Sequence, residues 1–505
     1  MKKRSLKKSF GFKKPLSALL FFSAIIIGNS SFAHSYGDPT KTTTDSARKA
    51  ATKELLRAFS ILGQTAKIIH RHDTGETATP SVPFAFGDFS WVNGVNRQTS
   101  TLLDGPVFTP DITIDVNYTR SNRNPIDNTV VGSTALARNN EMTLNMLAFG
   151  GDFHWNNVRG RVMMQFGTRA TEVPRNDYSG YKGQYDLPDA YRYLSETYVG
   201  YHWNKWHGVN LDMGIFMSYI GMFSYNNFEN WSYQPSFTSD NTPWFFNGIR
   251  LQMFPTEKTK MEVWLINGWQ SYAMFNKMPG IGFSWMHRPK EYISMISNNY
   301  VGTDVAGMPN CYRFHTDNSF QLRYLNRPAS TNGITKAAFT LTGDFGFQSG
   351  GIYTPFGEHT ASNFISGMVY HRIWFAHNHM AWNIGGGYMS NPSKYLVLIP
   401  PGQATDKFLA GATPGASFNA WDCSTTLQYM PSENITIEFE VVHRAANQDY
   451  FAGSGGVTGP DGYQNGAGIP GTSYNPNSYQ PSTGTWQPDL VKSETRGVFA
   501  MICRF

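Results

Sequence analysis

Apolar and polar residues alternate along most of this chain. The stretch ITIDVNYT at 112–119 puts isoleucine, isoleucine, valine and tyrosine on one face and polar residues on the other. A period of two is typical of a β-strand with one apolar and one polar face. The same alternation recurs in VRGRVMMQF at 158–166, KMEVWLING at 260–268, SFQLRYL at 319–325, FTLTGDF at 339–345 and ITIEFEVV at 435–442. From residue 111 onward there are about sixteen such segments, which predicts an all-β protein.

The connections between these segments alternate between short and long. Short, turn-like connections lie at 156–157, 204–208, 255–258, 288–291, 376–378 and 431–434, with a slightly longer one at 328–333. Long polar connections lie at 121–140, 171–190, 222–242, 348–361, 392–418 and 445–494, with two shorter ones near 271–278 and 303–311. Short turns at one end and long loops at the other are typical of outer-membrane barrels. We therefore predict a transmembrane antiparallel up-and-down β-barrel of about sixteen strands, within a range of about twelve to eighteen.

The chain ends on a strand-like segment, RGVFAMICRF at 496–505. Phe499, Met501, Cys503 and Phe505 share one face, which we expect to contact lipid, whereas Arg504 is expected to face inward. Strands survive in a membrane only when their backbone groups are paired, so the last strand must close the barrel on the first. We also expect the barrel-assembly machinery to recognise the chain through Phe505.

The N-terminus carries an export signal. Residues 1–15 hold seven Lys and Arg residues, an apolar run follows at 16–27, and a small-residue site ends at Ala33. This order predicts a cleaved secretory signal peptide at 1–33. Its removal lowers the net charge from +6 to −1, because the segment contains seven basic and no acidic residues. A near-neutral mature chain gives no reason to expect nucleic acid as a partner, and the expected location is the outer membrane of a Gram-negative-type bacterium.

Residues 34–110 differ in pattern from the rest of the chain. We predict a periplasmic segment there, with a helix at 45–69 in which leucine or isoleucine recurs every seven residues. This helix would pack on a neighbouring element or, alternatively, mediate self-association. The barrel would then occupy 111–505. Three cysteines are too few for a disulfide framework, although a single bridge between Cys311 and Cys423 stays open.

The inward face of such a barrel would carry the function. A barrel of about sixteen strands leaves an aqueous channel. Charged residues of both signs fall on the inward positions: Asp115, Arg159, Arg161, Arg250, Lys260, Glu262, Arg323, Asp344, Glu438, Glu440 and Arg504. We predict that they line a pore for the passive diffusion of small hydrophilic solutes or ions, which it selects by charge and size. Alternatively, these charges only pair across neighbouring strands.

Two loops are candidates for shaping the pore. The aromatic and acidic segment 224–244, with Glu229 and Asp240, would fold into the lumen as a constriction, lie over the rim, or pack against another copy in a homo-oligomer. A binding ring near a pore mouth would be formed by four residues of EVVHRAANQDY at 440–450: Glu440, His443, Arg444 and Asp449. The Gly-rich stretch at 451–471 lacks the lysine of a phosphate-binding loop, so we interpret it as external.

Chemistry other than diffusion has little support in the sequence. His377 and His379 have a spacing that can bind a metal, with His371 nearby, but they straddle an expected turn without an acidic or cysteine partner. We therefore expect no metal and no cofactor. The nucleophile elbow G-x-S-x-G does not occur, so we predict no enzymatic activity. Two rival interpretations stay open: a barrel lipase or protease using a Ser–His pair, and a receptor or adhesin acting through the long loops.

Several long segments of the sequence resemble segments found in a known protein family. They are NNEMTLNMLAFGGDFHWNNVRGRVMMQFG, SETYVGYHW, MGIFMSYIGMFSYNNFENWSYQPSF, TPWFFNGIRLQMFP, WLINGWQSY and VVHRAANQDYFAGSGGVT. Over residues 84–505 the chain is similar to the OmpL-like β-barrel porins. The resemblance implies an outer-membrane barrel that acts as a porin. It implies no catalytic residues and no defined substrate.

Overall fold

The computed structural model describes most of the chain from residue 82 onward. The described residues are 82–174, 177, 179, 183–305, 308–330, 333–354, 357–392, 395–402, 404, 408, 417–458, 479–480, 485–486 and 488–505. The chain divides into two compact units, 1–78 and 79–505. The expected signal peptide and the expected helix at 45–69 belong to the first unit and lie outside the described residues.

Sixteen strands form one closed barrel. They are β1 (Phe108–Ser121), β2 (Met142–Trp155), β3 (Val158–Phe166), β4 (Leu194–Trp203), β5 (Val209–Met217), β6 (Phe245–Thr256), β7 (Thr259–Ile266), β8 (Gly280–Lys290), β9 (Ile293–Gly302), β10 (Tyr312–Asn326), β11 (Ile334–Thr354), β12 (Gly357–Phe375), β13 (Met380–Ser390), β14 (Ala420–Ser432), β15 (Ile435–Ala446) and β20 (Ser493–Arg504). Each strand pairs with the next, and β20 closes the ring by pairing antiparallel with β1. The predicted fold and strand number are confirmed. Closure removes the free edges that a lipid bilayer would not tolerate.

The two faces of the barrel wall differ as the alternation predicts. On β20, Phe499 and Met501 are 45% and 43% exposed, whereas Val498, Ala500 and Ile502 are fully buried. Contact between an apolar side chain and lipid tails has no free-energy cost, whereas a polar side chain finds no hydrogen-bond partner there. The outward positions are therefore apolar. The opposite positions point into the barrel, where other parts of the chain cover them.

The connections follow the predicted order with one exception. Short turns join β2 to β3, β4 to β5, β6 to β7, β8 to β9, β10 to β11, β12 to β13 and β14 to β15. All of these turns lie at the end of the barrel where the C-terminus lies. This is the periplasmic end in outer-membrane barrels. The long connection expected at 348–361 is wrong, because β11 and β12 continue as a paired hairpin with Thr354 opposite Gly357. Gly, Ser and Thr residues give this region a loop-like composition, yet cross-strand pairing overrides that local preference. Strand β1 begins at Phe108, three residues before the expected start at 111.

Short elements lie in the long connections. They are α1 (Arg169–Glu172), α2 (Leu187–Tyr191), a 3₁₀ turn (Asn227–Glu229), α3 (Phe237–Asp240), and the two-residue strands β16 (Phe451–Ala452), β17 (Tyr479–Gln480), β18 (Thr485–Trp486) and β19 (Leu490–Val491). Strand β16 pairs with β19, and β17 pairs with β18. No helix in the described part of the chain has both the length and the apolar character needed to cross a membrane.

The three cysteines are free. Cys311 is buried, Cys503 is partly buried and Cys423 is exposed. Cys423 pairs across strands with Gly386 and His443 on the outward face of the wall. The bridge between Cys311 and Cys423, which the sequence left open, is therefore not formed.

Candidate functional site

The connection between β5 and β6, residues 218–244, lies inside the barrel. The Tyr233 hydroxyl donates to Asp115 of β1, and the Tyr233 backbone N–H donates to Glu440 of β15, both at 2.8 Å. A methionine sulfur of the same loop accepts from Thr342 of β11 at 3.4 Å. These wall residues point away from the lipid-facing side and lie across the ring from β5 and β6, the strands that the loop connects. A segment that reaches all of them crosses the lumen, and we call residues 218–244 the plug loop.

Carboxylates of the wall accept hydrogen bonds from the plug loop. Glu440 accepts from the backbone N–H groups of Tyr233 and Gln234 at 2.8 and 3.2 Å, and from the Gln234 side-chain amide at 3.0 Å. Asp422 of β14 accepts from the Ser236 hydroxyl at 2.7 Å and from the next backbone N–H at 3.0 Å. Buried N–H groups of a loop require such partners because they cannot reach water. The wall therefore supplies the bonds that secondary structure does not provide in this loop.

Arginines of the wall hold the acidic residues of the plug loop. Arg444 of β15 forms an ion pair with Asp240 at 2.7 Å and donates to the Pro235 carbonyl at 2.8 Å. Arg504 of β20 is ion-paired with Glu229. A guanidinium carries five donors in a fixed fork, so one arginine can bind several acceptors at once. Both acidic residues singled out in the sequence, Glu229 and Asp240, thus lie in the lumen and bind the loop to the wall.

Residues 84–99, which we call the N-terminal strap, cross the periplasmic mouth of the barrel. The Phe84 backbone N–H donates to the Glu257 carbonyl in the turn between β6 and β7, at 2.8 Å. At the other end, the Thr99 N–H and hydroxyl donate to the Glu433 carboxylate in the turn between β14 and β15, at 2.9 and 2.7 Å. These two turns lie on different sides of the ring. The strap therefore spans the mouth from one side to the other.

The strap and the plug loop are bonded to each other. The Trp231 backbone N–H donates to the Asn93 side-chain oxygen at 2.7 Å, and the Trp231 indole N–H donates to the Trp91 carbonyl at 3.1 Å. A backbone bond of 3.1 Å joins Gly94 N–H to the Glu229 carbonyl. Trp91, Asn93 and Trp231 are all buried. The two segments thus form one bonded unit within the lumen.

This unit divides the inner wall into a covered side and an open side. Polar inward side chains on β10–β15 are buried: Asp317, Gln321, Thr340, Asp344, Asp422, Thr426, Gln428, Glu438 and Glu440. On β3 and β7, by contrast, the side chains of Arg159 and Lys260 are 28% and 22% exposed. Both lie in the periplasmic half of their strands. Solvent therefore reaches the lumen beside the periplasmic ends of β3 and β7, which we call the open side, whereas Asp212 of β5 and Trp264 of β7 are buried.

Four cations on the open side form what we call the basic wall: Arg159, Arg161, Arg250 and Lys260. Arg161 lies at the centre of a carboxylate cluster and donates to Asp111 at 2.7 Å, Asp152 at 2.7 Å and Glu196 at 2.6 Å. Asp152 and Glu196 belong to β2 and β4, the two neighbours of β3, and Asp111 belongs to β1, the next strand beyond β2. Cross-strand pairing thus holds the guanidinium in place while part of it stays accessible.

The other cations of the basic wall also have carboxylate partners. Arg159 and Arg250 share Asp212 of β5, at 3.4 and 2.7 Å, and Lys260 lies 3.1 Å from Glu262. The Arg250 guanidinium stacks against three aromatic rings, with centroid distances of 5.1, 4.7 and 5.4 Å to Tyr198, Phe216 and Trp264. Two arginines share one aspartate at this position, and Arg159 is the more exposed of the two. Over the whole basic wall, the four cations face five carboxylates: Asp111, Asp152, Glu196, Asp212 and Glu262.

Residues 111–468 match the family model described as "Putative beta-barrel porin-2, OmpL-like". The chain belongs to this family. The match covers well over half of the chain and includes nearly all of the barrel strands. The protein is thus an outer-membrane β-barrel porin, and the resemblance found in the sequence is confirmed. No curated protein matches the chain in sequence.

Several solved structures of outer-membrane proteins are similar to this porin. OmpT of Vibrio cholerae in its trimer form is 7% identical, with a TM-score of 0.45 over 80% of this chain and 100% of its own. The anion-selective porin from Comamonas acidovorans is 10% identical, with a TM-score of 0.43 over 79% of this chain and 99% of its own. The outer-membrane channel DcaP of Acinetobacter baumannii is 10% identical, with a TM-score of 0.42 over 80% of this chain and 100% of its own. At these identities the likeness concerns the fold alone.

The residues that we expect to line the pore all occupy inward positions of the porin. Five carboxylates among them are buried: Asp115, Glu262, Asp344, Glu438 and Glu440. Arg323 is buried under the strap, where it pairs with Asp88 at 3.3 Å. Of the five other cations of the predicted set, four belong to the basic wall, and the fifth, Arg504, pairs with Asp111 at 2.9 Å as well as with Glu229. That these side chains contact diffusing solutes stays a prediction.

The binding ring expected at 440–450 is not assembled in the porin. His443 faces outward, where it packs on Trp421 at a ring distance of 5.2 Å and bonds to the Thr495 hydroxyl at 2.9 Å. Arg444 faces inward and holds the plug loop. Adjacent residues of a strand point to opposite faces, so these two side chains cannot share one ring.

The three histidines near the turn between β12 and β13 do not converge. His371 faces outward and bonds to the Tyr324 hydroxyl at 2.7 Å. The His379 ring lies 3.0 Å from the Met430 carbonyl, and His377 occupies the turn itself with a φ of 55°. Among the residues that the structure describes, no group of three or more His, Cys, Asp or Glu residues is placed to hold a metal ion.

The strap is the part of the candidate site that the sequence did not predict, because Pro and Gly give its region the composition of an ordinary loop. The available signal was a run of aromatic residues just before β1, which includes Phe84, Phe89 and Trp91. In the porin, Phe84 and Phe89 pack on the Arg288 guanidinium of β8 at 4.9 and 4.6 Å. Such a concentration of aromatic side chains outside a strand indicates a segment that buries its apolar surface against another part of the protein.

Proposed function

We propose that this porin lets small hydrophilic solutes and ions diffuse through a narrow, charged passage beside β3–β7. One contrast across the lumen carries the proposal. Arg159 and Lys260 of the basic wall keep solvent contact, whereas Asp344 and Glu440 on the opposite side are buried. A passage confined to one side of the lumen is narrower than the whole barrel, so it excludes larger solutes. Passive diffusion needs no chemical step, so the proposed function is non-enzymatic.

The charge of the basic wall supports a preference among ions. Opposed cations and carboxylates set a field across the passage, and this field acts on a solute according to its charge. Over the whole basic wall, four cations face five carboxylates, and the exposed charges are of both signs: Arg159, Lys260 and Asp152. We therefore expect the passage to select ions by charge with only a weak net preference, which the loss of a single exposed charge such as Arg159 would shift.

Assembly of the barrel is the second part of the proposal. Phe505 is 44% exposed, and its backbone exchanges two hydrogen bonds of 2.9 Å with Ile112 of β1. An exposed aromatic side chain at the end of the closing strand offers the barrel-assembly machinery a recognition element. Deletion of Phe505 is expected to lower the membrane-inserted fraction of the porin in cells, which heat-modifiability on gels measures. An unchanged fraction would remove this part of the proposal.

A receptor or adhesin is the second candidate function, and one observation favours it. The plug loop and the strap occupy much of the lumen, as expected for a barrel whose role lies in its external loops. A receptor of this kind would bind its partner tightly and show no conductance. The rival hydrolase would instead show turnover that is lost with one Ser or His substitution.

Single-channel recording of the purified mature porin in planar bilayers tests the proposal. We expect stepwise conductance that is small for a sixteen-stranded barrel, because the open part of the lumen is confined to one side. Reversal potentials in a salt gradient measure the ion preference, which should be weak. A barrel that is correctly folded, as heat-modifiability shows, but gives no conductance steps would refute the diffusion proposal and favour the receptor.

A further inference from the structure

Four polar side chains face outward in the middle of the barrel wall. They are Ser297 and Asn299 on β9 and Thr316 and Asn318 on β10, which we call the polar patch. Ser297 lies directly opposite Asn318, and Asn299 lies opposite Thr316. Their chain neighbours Asn298 and Asp317 are fully buried and point into the barrel, so the patch points to the lipid.

The position of the polar patch is unusual for the wall of this barrel. It lies about midway along both strands, between Met295 and Val301 on β9 and between Phe314 and Phe320 on β10. Most mid-strand outward positions elsewhere on the barrel carry apolar side chains, such as Val162, Met213, Val369, Ile384 and Phe439, and the polar exceptions Thr197 and Thr425 stand singly. The polar patch therefore interrupts the apolar band that faces the hydrocarbon.

The patch is only partly satisfied by its own hydrogen bonds. The Ser297 hydroxyl donates to the Asn318 oxygen at 2.7 Å, the Asn318 amide donates to Thr316 at 3.0 Å, and the Asn299 amide donates to Ser297 at 3.4 Å. A side-chain amide has two N–H donors and an oxygen with two lone pairs. Each asparagine therefore keeps bonding capacity that the patch itself does not use.

Lipid tails cannot satisfy the hydrogen-bonding groups of the polar patch. An unsatisfied polar group in hydrocarbon costs several kcal/mol, and acyl chains offer neither donors nor acceptors. Lipid headgroups could bond to the amides, but they lie at the ends of the strands rather than midway. A protein surface that brings its own donors and acceptors to the same depth satisfies the patch.

A shallow groove lies next to the polar patch. Gly343 of β11 pairs with Asn318, and Gly367 of β12 pairs with Gly343, so the row continues without side chains for two strands. A methyl group added at either glycine would come no closer than 3.9 or 3.8 Å to another atom, which means that the groove is open. Small residues at such a position let two membrane proteins approach closely.

We propose that the polar patch and the adjoining glycine groove form a two-fold interface with a second copy of this porin. In a two-fold contact the same surface meets itself, so with the two-fold axis beside Asn318 the polar patches of the two copies face each other, and the glycine groove lets the two walls approach closely. Asparagine suits this arrangement because its amide is both donor and acceptor and can pair with its own copy. The inference rests on the outer-membrane barrel and does not depend on the proposed diffusion pathway.

The test measures the oligomeric state of the full mature porin in mild detergent by native mass spectrometry. We expect the wild-type protein to show the mass of two chains. The double variant Asn299→Leu/Asn318→Leu should show one chain, since it turns the patch into ordinary lipid-facing wall. The matched control is Thr197→Leu, at an outward position of β4 that is remote from the patch, and it should stay dimeric. A monomeric wild type, or a double variant that stays dimeric, would overturn the proposal.

A cross-linking experiment in native membranes keeps the proposal testable if the double variant does not fold. All three native cysteines are first replaced by serine, and Asn318→Cys is then introduced. Oxidation should yield a disulfide-linked pair of chains for Asn318→Cys but not for Thr197→Cys in the same background. Equal linkage at both positions would show random collision and reject the interface. Conductance recorded from the same samples reports separately on the diffusion pathway.

Discussion

Arg444 in the barrel wall and Asp240 in the plug loop form an ion pair at 2.7 Å with both side chains fully buried. They lie 204 positions apart in the chain. Two buried charges of opposite sign tolerate burial only together, because removal of one leaves the other uncompensated. This pair therefore fixes the plug loop against β15, and its loss should release the loop.

The substitution Asp240→Asn tests this fixation. Leaving Arg444 buried without its partner should destabilise the porin by about 3–5 kcal/mol. The plug loop should also move more freely, so we expect larger and noisier conductance steps. Heat-modifiability in detergent and single-channel recording measure the two effects.

An exposed ion pair on the same molecule provides the control. Arg138 and Glu141 also lie 2.8 Å apart, but each side chain is 38% exposed. Exposed pairs contribute about 0–1 kcal/mol, so Glu141→Gln should leave both stability and conductance near the wild-type values. Equal stability of the Asp240→Asn and Glu141→Gln variants would contradict the role assigned to the buried pair.

The strap should restrict the periplasmic mouth. Deletion of residues 34–99 removes the strap but keeps every barrel strand, so the barrel should still assemble and conduct more than the full mature chain. Deletion of 34–78 removes only the first compact unit and leaves the strap. We expect that shorter deletion to leave the conductance unchanged. If both deletions gave the same conductance, the strap would not limit the passage.

The basic wall should set the ion preference. The double variant Arg159→Gln/Arg161→Gln removes two positive charges from the open side of the lumen, while the carboxylates around Arg161 stay. We expect the reversal potential in a salt gradient to shift toward cations. The single variant Arg159→Gln should shift it in the same direction and by less, with a smaller cost in stability.

The control for this change is an arginine near the external rim. Arg120 lies at the external end of β1 and bonds to Asn140 at 3.0 Å on the exposed surface. Arg120→Gln removes the same kind of charge outside the passage, so its selectivity should match that of the wild type. Unchanged selectivity in the double variant would show that Arg159 and Arg161 do not face diffusing ions.

Acid should loosen one end of the strap. The backbone N–H and the hydroxyl of Thr99 donate to Glu433, and these bonds lower the pKa of Glu433 below its usual value of 4.5. A lowered pKa means that the ionised form is favoured by the folded state, so this anchor is complete above pH 4.5. It is lost as the pH falls further through the lowered pKa.

Hydrogen exchange at the Thr99 amide measures this effect after correction for the intrinsic exchange rate. We expect protection at pH 7 and less protection below pH 4.5. The variant Glu433→Gln keeps a carbonyl oxygen but has no charge, so at pH 7 it should resemble the wild type in acid. Equal protection of the wild type at both pH values would rule out this anchor as a charged contact.

The barrel itself could be predicted from the sequence because its physical causes are local. The alternation in ITIDVNYT placed Asp115 and its polar neighbours on one face, and burial of Asp115 with exposure of Ile114 agrees with it. Connection lengths then ordered the strands. The one wrong connection is 348–361, where the local composition predicted a loop. Pairing between β11 and β12 extends both strands through this Gly-containing segment.

The filling of the lumen could not be predicted in the same way. The plug loop could have folded inward or over the rim, and its composition is compatible with either course. What places it inside is a set of bonds to residues far away in the sequence, such as the bond from Tyr233 to Glu440. The strap depends likewise on Glu433, more than three hundred positions beyond Thr99.

By itself, the sequence determined the lipid-facing and inward positions of the wall and the order of the strands. A period of two and the need to pair every backbone group in lipid suffice for these features. Only the tertiary structure decided which inward charges stay accessible and which are buried by the plug loop and the strap. The physical reason is that the burial of an inward side chain depends on which distant segments of the chain pack against it in the lumen. A local pattern of apolar and polar residues contains no information about such contacts.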